Sequence, residues 1–191
     1  MKTFLLLRFY KIMRKLLNEE LGRLDLEAFK KAPKIPFIVV LDNVRSLNNV
    51  GSAFRTSDAF RVEAVYLCGI TARPPHREIQ KTALGATASV EWKYFDTTTQ
   101  AIDKLRNNNY QIVAVEQADE SIELQYFRIR SKQKYALVFG NEVKGVEETI
   151  VNQADAVIEI PQFGTKHSLN ISVSIGIVLW DLWVKLQNLR G

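Results

Sequence analysis

Phe37-Ile38-Val39-Val40-Leu41 runs straight into Asp42-Asn43-Val44-Arg45-Ser46-Leu47-Asn48-Asn49, and the fold can be read outward from this junction. Five apolar residues in a row, rather than in alternation, mark a strand covered on both faces. Similar runs recur at Ala64 to Leu67, Gln111 to Val115, Tyr135 to Phe139 and Ala156 to Ile160. Helical spacing fills Val50 to Phe60, Thr98 to Asn107 and Val146 to Asn152. Strands alternating with helices predict an α/β fold, a mainly parallel sheet with helices on both faces. Leu169 to Ile177 alternates apolar and small polar residues like a strand, but the apolar stretch runs on through Leu186, and that length favours a buried helix.

The N-terminal part reads differently. Leu5, Phe9, Ile12 and Leu16 share one helical face and Arg8, Lys11 and Lys15 another, which predicts an amphipathic helix over Phe4 to Leu24. Asp25 to Pro36, with three lysines and two prolines, reads as a linker. The expected organisation is therefore a basic helical arm and linker, residues 1–34, before a domain over 35–191. The arm carries nine Lys/Arg against four Asp/Glu, whereas residues 35–191 carry 17 of each, so the whole excess of +5 sits on the arm. Such asymmetry suggests a polyanion partner; a solvated helix face is the plainer alternative. The basic stretch Arg128, Arg130, Lys132, Lys134 is a second candidate contact for such a partner, with a solvated turn before the next strand as the plainer reading.

Several classes are excluded. One cysteine, Cys68, permits no internal disulfide and reads as an inert buried thiol. Two histidines and that cysteine make no zinc site. No apolar run is long enough for a membrane span or a signal sequence, so a cytoplasmic protein is expected. Gly140 to Gly145 has the glycine spacing of a phosphate loop, but Val146-Glu147 follow where Lys-Ser/Thr is needed. Neither a dinucleotide-binding glycine fingerprint nor a nucleophile elbow is present.

Three polar clusters each follow a buried strand: Asp42 to Phe60, containing Asn49-Val50-Gly51 and Arg55; Phe139-Gly140-Asn141-Glu142-Val143-Lys144-Gly145; and Ile160-Pro161 through Ser168-Leu169-Asn170. Ligands in open α/β sheets bind beyond the carboxyl ends of strands, so one composite site is expected. In this order the clusters resemble the three motifs of the SpoU/TrmH family of SPOUT methyltransferases: Asn-x-Gly followed by arginine, Gly-x-Glu-x-x-Gly, and Ile-Pro followed by Ser-Leu-Asn. The resemblance spans Phe37 to the C-terminus. It implies a trefoil knot in the C-terminal part of the sheet, which no periodicity would predict. It also implies a homodimer with its two sites near the interface, and metal-free methyl transfer from S-adenosylmethionine to a ribose 2′-hydroxyl of tRNA or rRNA.

The same resemblance assigns roles. Arg55 is the expected catalytic arginine; always charged, it is a poor base and better suited to binding the phosphate beside the target ribose. A salt bridge with Asp58 or Glu142 is the structural alternative. Asn49 and Glu142 are expected to organise the site, Asn49 also as a helix N-cap and Glu142 at the start of the helix that follows it. Ser168 and Asn170 are expected to bond substrate or fix their loop, with N-capping of the last helix by Ser168 the alternative. Gly140, Ile160 and Leu169, with Val115 at a strand end, are the expected cofactor contacts, largely through backbone groups; Glu116-Gln117 match no motif. Two other classes stay open: a non-catalytic RNA-binding module that kept the fold, and an arm that docks a protein or an acidic membrane.

Overall fold

The Phe37 to Leu41 run lies at the centre of the sheet, with Leu41 paired to Leu67 on one side and Phe139 on the other. The computed structural model describes residues 14–190. Seven strands, β1 (Ile35–Asp42), β2 (Val62–Cys68), β3 (Trp92–Phe95), β4 (Tyr110–Val115), β5 (Ile122–Glu123), β6 (Lys134–Phe139) and β7 (Ala156–Glu159), form one sheet in the order β3-β2-β1-β6-β4-β7-β5. All six pairings are parallel. The order reverses between β1 and β6, which is where such sheets open a crevice beyond their carboxyl ends.

The helices are α1 (Leu26–Lys31), α2 (Leu47–Phe60), α3 (Arg77–Ala83), α4 (Ala86–Ser89), α5 (Thr98–Arg106), α6 (Glu148–Val151) and α7 (Ile171–Asn188). Because β1 is buried on both sides, its residues divide between two cores. Phe37, Val39 and Leu41 pack with Val50 and Phe54 of α2 and Ile175 and Leu179 of α7. Ile38 and Val40 pack with Ala101, Ile102 and Leu105 of α5 and Ile150 of α6. Each of the Val, Leu, Ile and Phe side chains among them, fully buried, is worth about 1.5–3 kcal/mol. Cys68 is wholly buried, and burial pushes its thiol up to about 12, so it is inert.

The structure departs from the sequence reading in its N-terminal part. Part of the helix expected over Phe4 to Leu24 lies outside the described residues. Within them, 14–24 hold only a 3-10 turn, Asn18–Leu21, closed by Gly22 at φ +58°. Leu16, Leu17, Leu21 and Leu24 are exposed, so no core supports a longer helix. The expected linker is instead ordered: Asp25 caps α1 by accepting from the Ala28 N–H at 2.8 Å, and Phe29 is buried. Pro36 lies inside β1, at a register irregularity where its missing N–H is tolerated. Two strands went unread: β3, where half-buried residues flank exposed Lys93, and β5, only two residues long. The helix expected over Val146 to Asn152 is a single turn, α6. Among the described residues no helix is long and apolar enough to cross a membrane.

Candidate active site

The carboxyl ends of β4, β6 and β7 open into a cleft of about 530 Å³, within the size range of small-molecule sites. Val115, Gly140, Glu142, Ile160, Ser168, Leu169 and Asn170, all singled out from the sequence, line it. Asn49 and Arg55 do not.

Asn49 nevertheless belongs to the cleft's wall. Glu142 reaches across to the N-terminus of α2, where its carboxylate accepts from the Arg45 and Ser46 N–H groups, each at 3.0 Å, and from Asn49 Nδ2 at 2.9 Å. Asn170 Nδ2 donates in turn to Asn49 Oδ1 at 3.3 Å. One chain of hydrogen bonds therefore joins the three motifs. It also corrects the expected capping. Ser46, not Asn49, caps α2, and Asn170, not Ser168, caps α7 by accepting from the Ser172 N–H at 2.8 Å. Glu142 lies at the N-terminus of α2 rather than at that of the helix following it. Burial alone would raise the Glu142 carboxyl. Hydrogen bonds from Arg45, Asn49 and Ser46 outweigh it and hold the carboxyl below its ordinary value.

The 140–147 loop is fixed at several points. Asn141 and Gly145 exchange backbone hydrogen bonds at 2.9 Å. Asn141 Nδ2 donates to the Asn43 carbonyl at 2.7 Å, and the Val146 N–H donates to Glu116 at 2.8 Å. The Glu147 N–H donates to Asp42, a wholly buried carboxylate at the end of β1, at 2.9 Å. A Cβ on Gly140 would lie 2.0 Å from the Gly145 carbonyl carbon, so the loop can close only over a glycine. Asp42, Glu116 and Asn141 were not singled out from the sequence. All three had the same signal, a polar residue at or just beyond a buried strand's end, but Glu116 matches no motif.

Ile160 and Leu169 make no backbone hydrogen bond with other described residues, so their N–H and C=O groups remain open to a ligand. The Ser168 hydroxyl is likewise uncommitted among the described residues. Arg55 lies elsewhere, eight residues beyond Leu47 and so about 12 Å along α2. It borders a second cavity of about 750 Å³ with Arg61, Asp58 and Leu84. Neither salt bridge considered for it is present: Ser89 donates to Asp58, and Glu142 is held by α2. The stretch Arg128 to Lys134 leads into β6 beside Asn109 and Tyr110. That is the amino end of the sheet, a strand length of about 20 Å from the cleft.

A tRNA (guanosine(18)-2′-O)-methyltransferase of Aquifex aeolicus is 34% identical over 171 residues, covering 86% of this chain and 76% of the relative. The crystal structure of the A. aeolicus TrmH/SpoU tRNA modifying enzyme superposes with a TM-score of 0.74 at 30% identity, covering 85% of this chain and 81% of that one. An AdoMet-bound rRNA methyltransferase from Sinorhizobium meliloti superposes with a TM-score of 0.72 at 27% identity, over 82% of this chain but only 58% of that one. The profile of the SpoU rRNA Methylase family matches residues 36–180, which include all three clusters and the whole cleft, and the chain belongs to that family.

Proposed function

We propose that the cleft binds S-adenosylmethionine and that this chain methylates a ribose 2′-hydroxyl of RNA. The observation that carries this reading is the convergence of Gly140, at the end of β6, with Ile160 and Leu169, from the loop between β7 and α7, on one cleft with open backbone donors and acceptors. Such groups can read an adenine edge, and Gly140 lets a ligand come close. Glu116 offers a carboxylate that can accept from ribose hydroxyls. Bound there, S-adenosylmethionine supplies an electrophilic methyl group on a sulfonium. Asn49, Glu142 and Asn170 hold the walls in register, and Ser168 presents its hydroxyl to the substrate. We read the substrate as tRNA or rRNA and the protein as cytoplasmic.

Arg55 enters through a second copy. On α7, Val173, Ile177 and Trp180 recur at helical spacing and are exposed, Trp180 by 58% and stacked on Trp183 at 5.5 Å. This stripe is the proposed face of a homodimer in which Arg55 of one protomer meets the cleft of its partner. The C-terminal knot is part of the same reading. Sedimentation is expected to show a dimer at micromolar concentration and a monomer for Trp180→Glu; a wild-type monomer rejects the arrangement.

Activity is tested by tritium transfer from methyl-labelled cofactor to RNA taken from cells lacking the gene. Label is expected in alkali-resistant dinucleotides, the mark of a blocked 2′-hydroxyl. RNA that is bound but never labelled would instead indicate the non-catalytic RNA-binding module.

A further inference from the structure

The two most exposed large apolar side chains among the described residues lie in the two loops that border the cleft. Phe163 is 97% exposed and Val143 76%. Val143 projects from the 140–145 loop on one wall of the cleft. Phe163 belongs to the loop between β7 and α7, next in sequence to Gln162, which lines the cleft. Single exposed apolar residues are ordinary. A phenylalanine with almost no contact to its own chain, in one loop of the cleft, with a second exposed apolar side chain in the other, is not. Each has a lysine close by in sequence, Lys144 and Lys166, and neither lysine forms a salt bridge among the described residues.

An aromatic face with nearby cations is the chemistry that holds an unstacked nucleotide. The ring takes the base and the ammonium groups take the flanking phosphates. We propose that Phe163 and Val143 clamp the base of the nucleotide whose ribose is methylated, with Lys144 and Lys166 on its phosphates. Every base has a π-face, so this clamp selects an unpaired, splayed-out nucleotide rather than a particular base. The substrate position is then in a loop, bulge or end, and the same site held in a duplex is not methylated. The proposal rests on the methyltransferase reading above.

The test uses the full chain, S-adenosylmethionine and bulk RNA from cells lacking the gene. Phe163 packs against almost nothing, so Phe163→Ala is expected to fold as the wild type does. It is expected to raise the KM for RNA by roughly five- to 150-fold, the size of one base–aromatic stack, with the loss on KM rather than on kcat. Phe163→Trp is expected to restore most of it and Phe163→Leu is not. S-adenosylmethionine affinity, measured by calorimetry without RNA, and the sedimenting mass are expected to hold. Wild-type KM in Phe163→Ala, or rescue by leucine, overturns the clamp. So does weakened cofactor binding, which would make the ring a cover for the cofactor, or a changed mass, which would place it in a subunit contact. A wild-type protein that labels no RNA would instead reject the underlying function, so the two failures are distinguishable.

Discussion

Arg55→Ala is expected to lower methyl transfer by about 10²- to 10³-fold while leaving S-adenosylmethionine affinity near the wild-type value. The size follows from removing one preorganised charge from a developing oxyanion, worth about 2.7–4 kcal/mol in comparable sites. The sparing of cofactor affinity follows from the geometry: Arg55 does not line its own protomer's cleft, and it borders a separate cavity. Single-turnover methylation and calorimetry on the same preparation check both halves. A variant that transfers at the wild-type rate removes arginine from the chemistry. One that loses cofactor affinity in proportion makes Arg55 a structural residue.

Gly140→Ala is expected to abolish cofactor binding. The added methyl would sit 2.0 Å from the Gly145 carbonyl carbon and 2.1 Å from the Val146 nitrogen, both backbone atoms that no rotamer change can move. The 140–147 loop has to open, and Glu142 then leaves the N-terminus of α2. Thermal melts with and without S-adenosylmethionine check this, since a ligand that binds only the folded state raises the midpoint by mass action. A ligand-induced shift equal to that of the wild type would show that the loop tolerates the methyl. The two variants also combine. If Arg55 serves the partner's cleft, mixing equal amounts of the inactive proteins restores roughly a quarter of wild-type activity, because half the dimers are mixed and each carries one intact site. No recovery after demonstrated subunit exchange places Arg55 in its own protomer's site.

The sheet was legible because strands buried on both faces leave uninterrupted apolar runs, and β1, β2, β4, β6 and β7 each have one. Edge elements lack that signature: β3 mixes Trp92 and Tyr94 with an exposed lysine, and β5 is too short to have a pattern. The last helix was legible by length against its own alternation. Ile171, Ile175, Val178, Leu182 and Leu186 make its buried side, and Ser172 and Ser174 fall elsewhere on the helix. Cleft residues were legible through motif order, but their partners were not. Glu142 bonds residues 96 and 97 positions earlier, and Asn49 bonds Asn170, 121 positions later. Local rules assign caps from the nearest serine or asparagine, which is how Asn49 and Ser168 came to be read as caps in place of Ser46 and Asn170.

The same hydrogen-bond relay has a consequence for synthesis. Its last member, Asn170, lies some twenty residues from the C-terminus, and the strand that supplies Ile160 is the final one to join the sheet. Contacts this distant in sequence form late. A chain translated only through β6 can pair β1, β2, β3, β4 and β6, yet β5, which pairs only with β7, stays outside the sheet, and neither the β7 wall of the cleft nor the cap of α7 is present. The cleft is therefore complete only once β7 and the first turn of α7 have both been made and docked.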